Sequence, residues 1–286
     1  MSLELRPPTT EDVPELGRIC YEAFKDISDK HNFPSDFESV AMARMIIGML
    51  TASEEEYSVA AMMDGQPAGS NFLLAADEVG GLGPITVDVS AQGNGIGRAL
   101  MQNVIDHAKE AGLERVRLLQ DSFNMASLSL YASLGFDTKH PVALMQPVPS
   151  DQPDESVRPV AEPDLDAIEE LSRRIYKSSR RNEVEGNIGG PFRPFLRERA
   201  GHVTAYYSLG IAGHGVAETE EDMVAVVREA ARQSPPEFHR TFCPLTEGSL
   251  YRRFLAAGFR NVKVMNLMAL GPYEEPDGVW VPSVLY

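Results

Sequence analysis

The stretch Gln92-Gly93-Asn94-Gly95-Ile96-Gly97 limits the fold of this chain more than any other segment, because alternate glycines impose a tight turn between two regular elements. An apolar run, Ile85-Thr86-Val87-Asp88-Val89, precedes it and reads as a strand. Leu100, Met101, Val104, Ile105 and Ala108 follow at helical spacing, and Gly112 is placed to stop that helix. Glycines at such a turn let backbone N–H groups converge on an anion without interference from Cβ atoms, and the helix dipole favours the same charge. The segment is therefore a strand, an anion-binding turn and a helix.

The spacing decides between anions. A Walker loop needs Gly-x4-Gly-Lys-Ser/Thr, which is absent, and a dinucleotide fingerprint counted from Gly93 meets Arg98 where glycine is required. That argues against a nucleotide-dependent oxidoreductase. Gln92, Gly95 and Gly97 fit Gln/Arg-x-x-Gly-x-Gly/Ala instead. Downstream, a strand candidate Arg115-Val116-Arg117-Leu118-Leu119 leads to Asn124-Met125-Ala126-Ser127-Leu128-Ser129-Leu130-Tyr131 and then Leu134-Gly135-Phe136. This ordered pair of motifs resembles the GNAT acetyltransferase superfamily, with Ser127 standing where alanine is usual. The resemblance covers residues 3–146. It implies a mixed β-sheet flanked by helices and acetyl-coenzyme A bound at the glycine loop.

A second pattern organises the remaining chain. Leu5-Arg6-Pro7 precedes a helix carrying Val13, Leu16, Ile19, Ala23 and Phe24. Val157-Arg158-Pro159 precedes one carrying Leu165, Ile168, Leu171, Ile175 and Tyr176, each 152 positions later (165 minus 13). Thr10 and Glu162 stand at the two helix starts, Thr10 being the better cap. Ala257-Gly258-Phe259 answers Leu134-Gly135-Phe136 at an offset of 123 (258 minus 135), so the second copy has lost material, expected to include its second helix and part of the strand meander. At that offset Gln92, Gly95, Gly97 and Arg98 become Gly215, Glu218, Glu220 and Glu221, and Tyr131 becomes Phe254. Carboxylates there would repel a pyrophosphate. The expected organisation is thus an α/β chain with mixed sheets, in two tandem GNAT-like domains. Residues 3–146 form the acetyl-coenzyme A domain, 147–156 a proline-rich acidic linker, and 157–286 a degenerate copy.

Composition sets outer bounds. A hydrophobic content of 43% without a long apolar run predicts a globular chain with no membrane span, and the N-terminus has no signal core. Cytoplasm follows by default. Cys20 and Cys243 are too few for a disulfide framework or a metal cluster, so no metal is expected. The formal charge of −16 argues against nucleic acid and is compatible with a cationic acceptor. The acceptor class is a small-molecule amine or a peptide, and monomer and homodimer are both open.

Transfer of an acyl group to an amine needs a proton acceptor for the amine, a donor for the oxyanion and a proton for the departing thiolate. The resemblance implies that the amides of Val87 and Val89 meet the pantetheine and thioester, and that Gln92, Gly93, Asn94, Gly95, Ile96, Gly97 and Arg98 surround the pyrophosphate. It also implies Tyr131 as general acid, its phenol tuned downward, and Asn124 as a cofactor contact that can equally cap a helix. Asp88, on the strand face opposite Val87 and Val89, is a candidate base and cofactor neighbour; Asp77, Glu78, Glu22 or a water chain are alternatives. His31, Phe33 and Phe37 lead into a second helix, where Ser35 and Glu38 read as a capping box, and they border the acceptor side. The closing Val279–Tyr286 alternates like a strand able to complete either sheet. A non-catalytic coenzyme A-binding module, with the second repeat as an interaction surface, is the alternative function.

Overall fold

The computed structural model describes residues 2–54, 56–190, 192–210 and 213–284. Strand β1 (Leu3–Arg6) leads to helices α1 (Val13–His31) and α2 (Val40–Ala52), followed by the hairpin β2 (Tyr57–Met63) and β3 (Gln66–Leu74). Strand alternation divides β2 and β3 between two cores. Ala60, Met62 and Phe72 pack on α1 and α2 with Leu16, Ile19 and Ile47, while Val59, Ala61 and Leu73 face the opposite layer. Gly17 lets the two helices close up, since a Cβ there would lie 2.7 Å from the Cα of Arg44.

Next come β4 (Gly80–Leu82), β5 (Thr86–Val87), α3 (Ile96–Glu110), β6 (Val116–Asp121), α4 (Met125–Ser133) and β7 (Asp137–Gln146). Leu100, Met101, Val104, Ile105 and Ala108 of α3 are all buried against β2 and β3, as their spacing predicts, and Gly112 follows the helix at φ +75°. The second half runs through β8 (Val157–Pro159), α5 (Leu165–Tyr176), α6 (Arg181–Gly186), β9 (Pro194–Arg199), β10 (His202–Ser208) and β11 (Gly215–Ala217). It then continues through α7 (Glu220–Arg232), β12 (Thr241–Pro244), α8 (Gly248–Ala256), β13 (Arg260–Leu270) and β14 (Val279–Val281). The chain is a mixed α/β structure with two sheets flanked by helices.

Those sheets do not divide at the linker. The larger has the order β1-β2-β3-β4-β6-β13-β7-β12 with β5 paired to β3; the smaller is β14-β11-β10-β9-β8. β4 and β6 pair in parallel. β13, from the second half, lies between β6 and β7 and pairs antiparallel with both. β7 in turn lies between β13 and β12. Each half therefore supplies the strand that closes the other's ladder, and either half alone would expose an unpaired edge. Segment 147–156 is also held down: the Ser150 amide donates to the Arg228 carbonyl of α7 at 3.2 Å, and its hydroxyl to Glu229 at 2.9 Å.

The paired helix starts show the same local chemistry. Arg6 reaches both oxygens of Asp12 at 2.8 Å, and Arg158 reaches those of Asp164 at 2.7 and 2.8 Å, each pair 152 positions apart (158 minus 6). Asp12 accepts from the Thr9 amide and Asp164 from the Ala161 amide. These aspartates, rather than Thr10 and Glu162, order the two starts. α2 likewise begins after Ser39, whose Oγ accepts from the Met42 amide, so the expected box at Ser35 and Glu38 does not form. In the second half α6 remains as a short helix, so the expected loss of the second helix is partial. β14 completes the smaller sheet on β11; Leu285 and Tyr286 lie outside the described residues. No helix among the described residues is long and apolar enough to cross a membrane.

Candidate active site

The site begins where the sheet splits. β4 pairs with β3 on one side and β6 on the other, whereas β5, four residues on, pairs among the described residues with β3 alone. A wedge therefore opens between β5 and β6. The Asp88 amide donates to Ala68 of β3 at 2.9 Å, so by alternation the Val87 N–H points away from β3 into that wedge. The regular strand stops at Val87 rather than continuing through Val89, because residues Val89–Ala91 turn into a short 3-10 helix.

The glycine loop sits at the mouth of the wedge. Gly93 and Gly95 hold φ of +81° and +82°, left-handed values that favour glycine, and open space surrounds both positions. Gly95 is the N-cap of α3, and Ala99 is the first amide bonded back to it. The amides of Ile96, Gly97 and Arg98 thus have no acceptor within the helix. Ile96 is buried and anchors the turn. Gln92 donates to the Val87 carbonyl at 3.2 Å, Asn94 to the Ala91 carbonyl at 3.1 Å, and Arg98 to Ser133 of α4 at 2.7 Å. The side chains brace the loop while its backbone donors remain available for an anion. At Gly97 a Cβ would stand 3.7 Å from the Val87 side chain and 3.5 Å from Leu130, so loop, wedge and α4 converge there.

Asn124 caps α4, its side chain accepting from the Ser127 amide at 3.1 Å. Tyr131, two turns further on, is 7% exposed and packs 6.2 Å from Phe136. Burial, reinforced by the Asp121 carboxylate, pushes its phenol above the usual range, opposite to the downward tuning expected. The ring stays protonated at neutral pH and can donate.

Asp88 requires a correction. It lies past the end of β5 as the cap of the 3-10 turn, accepting from the Ser90 amide at 2.9 Å and hydroxyl at 2.5 Å, with Arg18 at 3.0 Å. The Ser90 hydroxyl and the Arg18 guanidinium hold its carboxyl below the usual range. A carboxylate so committed is a poor proton acceptor. Of the other acidic candidates, Glu22 pairs with Arg18, Asp77 accepts the amides of Asn182 and Glu183 at α6, and Glu78 bridges Arg115 and Arg173.

A different acidic group was hidden from the sequence. Lys263 of β13 is 1% exposed at its side chain and reaches Asp36 at 2.7 Å and Asp121 at 2.6 Å. Burial, with Asp36 adding and Lys263 opposing, pushes Asp121 up to about 6. Burial alone would lower Lys263, but the two carboxylates outweigh it and raise it. One cation between two carboxylates leaves a net negative site. Phe123 continues from it, stacked on Phe33 at 4.5 Å and 5.2 Å from His31, with the Lys263 ammonium 5.8 Å from its ring. Phe37 instead joins the core against Phe24. Sequence alone held one clue, that Asp121 lies three residues before Asn124; its partners are distant in the chain.

Among the described residues, the second half has no counterpart to the loop. Only Glu218 and Thr219 separate β11 from α7, and Thr219 itself caps α7 through the Asp222 amide. Glu218 pairs with Arg174, and Glu220 with Arg253. Phe254 stacks on Phe259 at 4.8 Å where Tyr131 meets Phe136 in the first half.

The Acetyltransferase (GNAT) family model matches residues 20–136. A mycothiol acetyltransferase from Kocuria rhizophila is 43% identical over 72 residues, which cover 25% of this chain and 23% of that protein. An uncharacterized N-acetyltransferase from Methanocaldococcus jannaschii is 26% identical over 145 residues, covering 48% of this chain and 62% of that one. The chain thus spans about a quarter of the mycothiol acetyltransferase it matches. Over nearly full length, the fold is similar to a candidate acetyltransferase from Pyrococcus horikoshii (TM-score 0.80, 14% identity, 99% of this chain and 95% of that one). A GCN5-related N-acetyltransferase from Sphaerobacter thermophilus also matches (TM-score 0.61, 15% identity, 97% and 98%). The match over residues 20–136 shows a GNAT acetyltransferase family domain in the N-terminal half of this chain.

Proposed function

We propose that this chain is an acetyl-coenzyme A-dependent N-acetyltransferase that works through its first half, the second half being a related copy without a cofactor loop. The observation that carries the reading is the unpaired edge of β5, where the Val87 N–H faces a wedge closed by a glycine-built helix N-terminus. The residues fit the group: backbone donors at Gly93 to Arg98 suit a pyrophosphate, and the free strand edge suits an extended pantetheine arm. Acetyl-coenzyme A supplies an activated acetyl thioester. The Val87 N–H is placed to stabilise negative charge on the carbonyl oxygen. Asp121, with an elevated pKa and near the Phe33 and Phe123 wall, accepts the proton of the attacking amine. Tyr131, its hydroxyl protonated, would donate a hydrogen bond to the departing sulfur.

The excess of carboxylate over ammonium around Lys263 supports a positively charged amine, small molecule or peptide, as acceptor. Free coenzyme A release, followed over a panel of polyamines, amino acids and short peptides, tests the reading. Turnover with at least one amine, at one acetyl-coenzyme A site per chain, is the expected result. Tight coenzyme A binding without turnover on any amine would leave a cofactor-binding module instead.

A further inference from the structure

Arg117 lies on β6 four residues before Asp121, roughly 13 Å away along a strand. It is 1% exposed, and its Nε, Nη1 and Nη2 have no hydrogen-bond acceptor among the described residues. Its guanidinium carbon sits 4.8 Å from the Tyr273 ring centroid and 5.4 Å from that of Tyr176. The hydroxyls of both tyrosines are buried and likewise without a partner among the described residues. Cation–π contact offsets part of the cost of burying the charge, but it provides no acceptor for the guanidinium N–H groups. A buried cation and two buried hydroxyls left in this way are expensive unless an acceptor joins them.

We propose that Arg117, Tyr176 and Tyr273 form a binding site for a small monocarboxylate. The guanidinium carbon lies 4.8 and 5.4 Å from two ring centroids, and its planar fork can pair bidentately with the two oxygens of a carboxylate. A single cation neutralises a single negative charge, and a buried dianion would be left in excess. Fork N–H groups and two phenolic O–H groups can together satisfy the carboxylate oxygens. The covering segment, residues 271–278 between β13 and β14, carries Tyr273 and is mostly exposed. Gly271 and Gly278 bound it at φ of +84° and +135°, and the Asp277 amide ties it to the Ile175 carbonyl of α5 at 2.8 Å. Glu275 of the same segment is occupied by His140 at 3.0 Å rather than by Arg117. The site joins β6 of the first half to α5 and the 271–278 segment of the second, and is separate from the acetyl-transfer wedge.

The test uses the full chain without acetyl-coenzyme A or amine, so its outcome is independent of the acetyltransferase reading. Sodium acetate is titrated against sodium chloride and inorganic phosphate at matched ionic strength. The readouts are the slowly exchanging Nε–H signal of Arg117, assigned by its loss in Arg117→Met, and the melting temperature. Acetate is expected to move that signal saturably and to raise Tm, while chloride and phosphate do neither. Tyr273→Phe and Tyr176→Phe are each expected to weaken acetate binding by about tenfold, the effect of one hydrogen bond to a charged group. Arg117→Met also removes a buried charge and can alter stability by itself, so the two tyrosine variants carry the decision. A saturable response to phosphate as strong as that to acetate would overturn the carboxylate assignment. So would acetate acting no differently from chloride, or unchanged acetate binding in both tyrosine variants.

Discussion

Lys263 holds its ammonium 2.6 Å from the Asp121 carboxylate, although the two residues belong to opposite halves of the chain. The contact exists because β13 lies directly beside β6, with Met265 facing Asp121 in register. Asp36 shares the same ammonium at 2.7 Å, so this lysine also ties the α1–α2 connection to the exchanged strand.

Removing only the cation should therefore be severe. Lys263→Met would leave two carboxylates, one of them deeply buried, without a counterion, at a cost of about 3–5 kcal/mol in unfolding free energy. Adding Asp36→Asn and Asp121→Asn to it should recover most of that loss, because the uncompensated charges go too. Urea unfolding of the single and triple variants measures both effects. A Lys263→Met protein as stable as the parent would show that the triad does not hold the halves together.

Tyr131→Phe keeps the buried ring and removes only the hydroxyl. If the phenol supplies the proton for the thiolate, kcat should fall by about 10²- to 10⁴-fold while the KM for acetyl-coenzyme A and the unfolding midpoint change little. Steady-state kinetics with the best amine from the panel provide the check. An unaltered kcat would remove the residue from the mechanism and leave it a core tyrosine.

How much of this was legible depends on distance along the chain. The loop from Gln92 to Gly97, the buried face of α3 and the Asn124-to-Phe136 motif are local, and periodicity and glycine placement specify them. The paired starts at Arg6 and Arg158 were visible as a register, although their capping partners, Asp12 and Asp164, were not. Asp88 was misplaced because strand alternation was carried past Val87, where the capping side chain turns the backbone into a 3-10 helix. The exchange of β7 and β13 was not legible at all, since an apolar pattern says that a strand is buried without naming its neighbour. Asp121 was missed for the same reason, as its environment is made by Asp36 and Lys263, residues remote in sequence.

The base assignment fixes a pH dependence. Asp121 accepts a proton only when ionised, and its pKa is pushed up to about 6, so kcat/KM should rise through that value to a plateau on the alkaline side. Stability runs the other way. A carboxyl raised on folding contributes stability that is fully present below its unfolded value of 3.8 and is lost as pH rises through about 6. Asp121→Asn should remove the acidic limb from the rate profile and flatten the stability profile in the same window. A limb near 6 that survives in Asp121→Asn would assign the base to another group.

The loop itself can be tested by giving the first half the charge that the second half carries. Gly95 has φ +82° with open space around it, so Gly95→Glu meets no steric obstacle beyond the left-handed backbone, at about 1–2 kcal/mol. Its carboxylate would stand at the amides of Ile96 to Arg98 and oppose a pyrophosphate there. In the parent, acetyl-coenzyme A at a hundred times its Kd should stabilise the fold by about 2.7 kcal/mol, at one site per chain. Gly95→Glu should abolish that gain, whereas Gly95→Ala, which carries the strain without the charge, should retain part of it. Calorimetric titration and thermal unfolding measure the stoichiometry and the shift. Equal protection of Gly95→Glu and the parent would move the cofactor away from this loop, and two sites per chain would restore a working site to the second half.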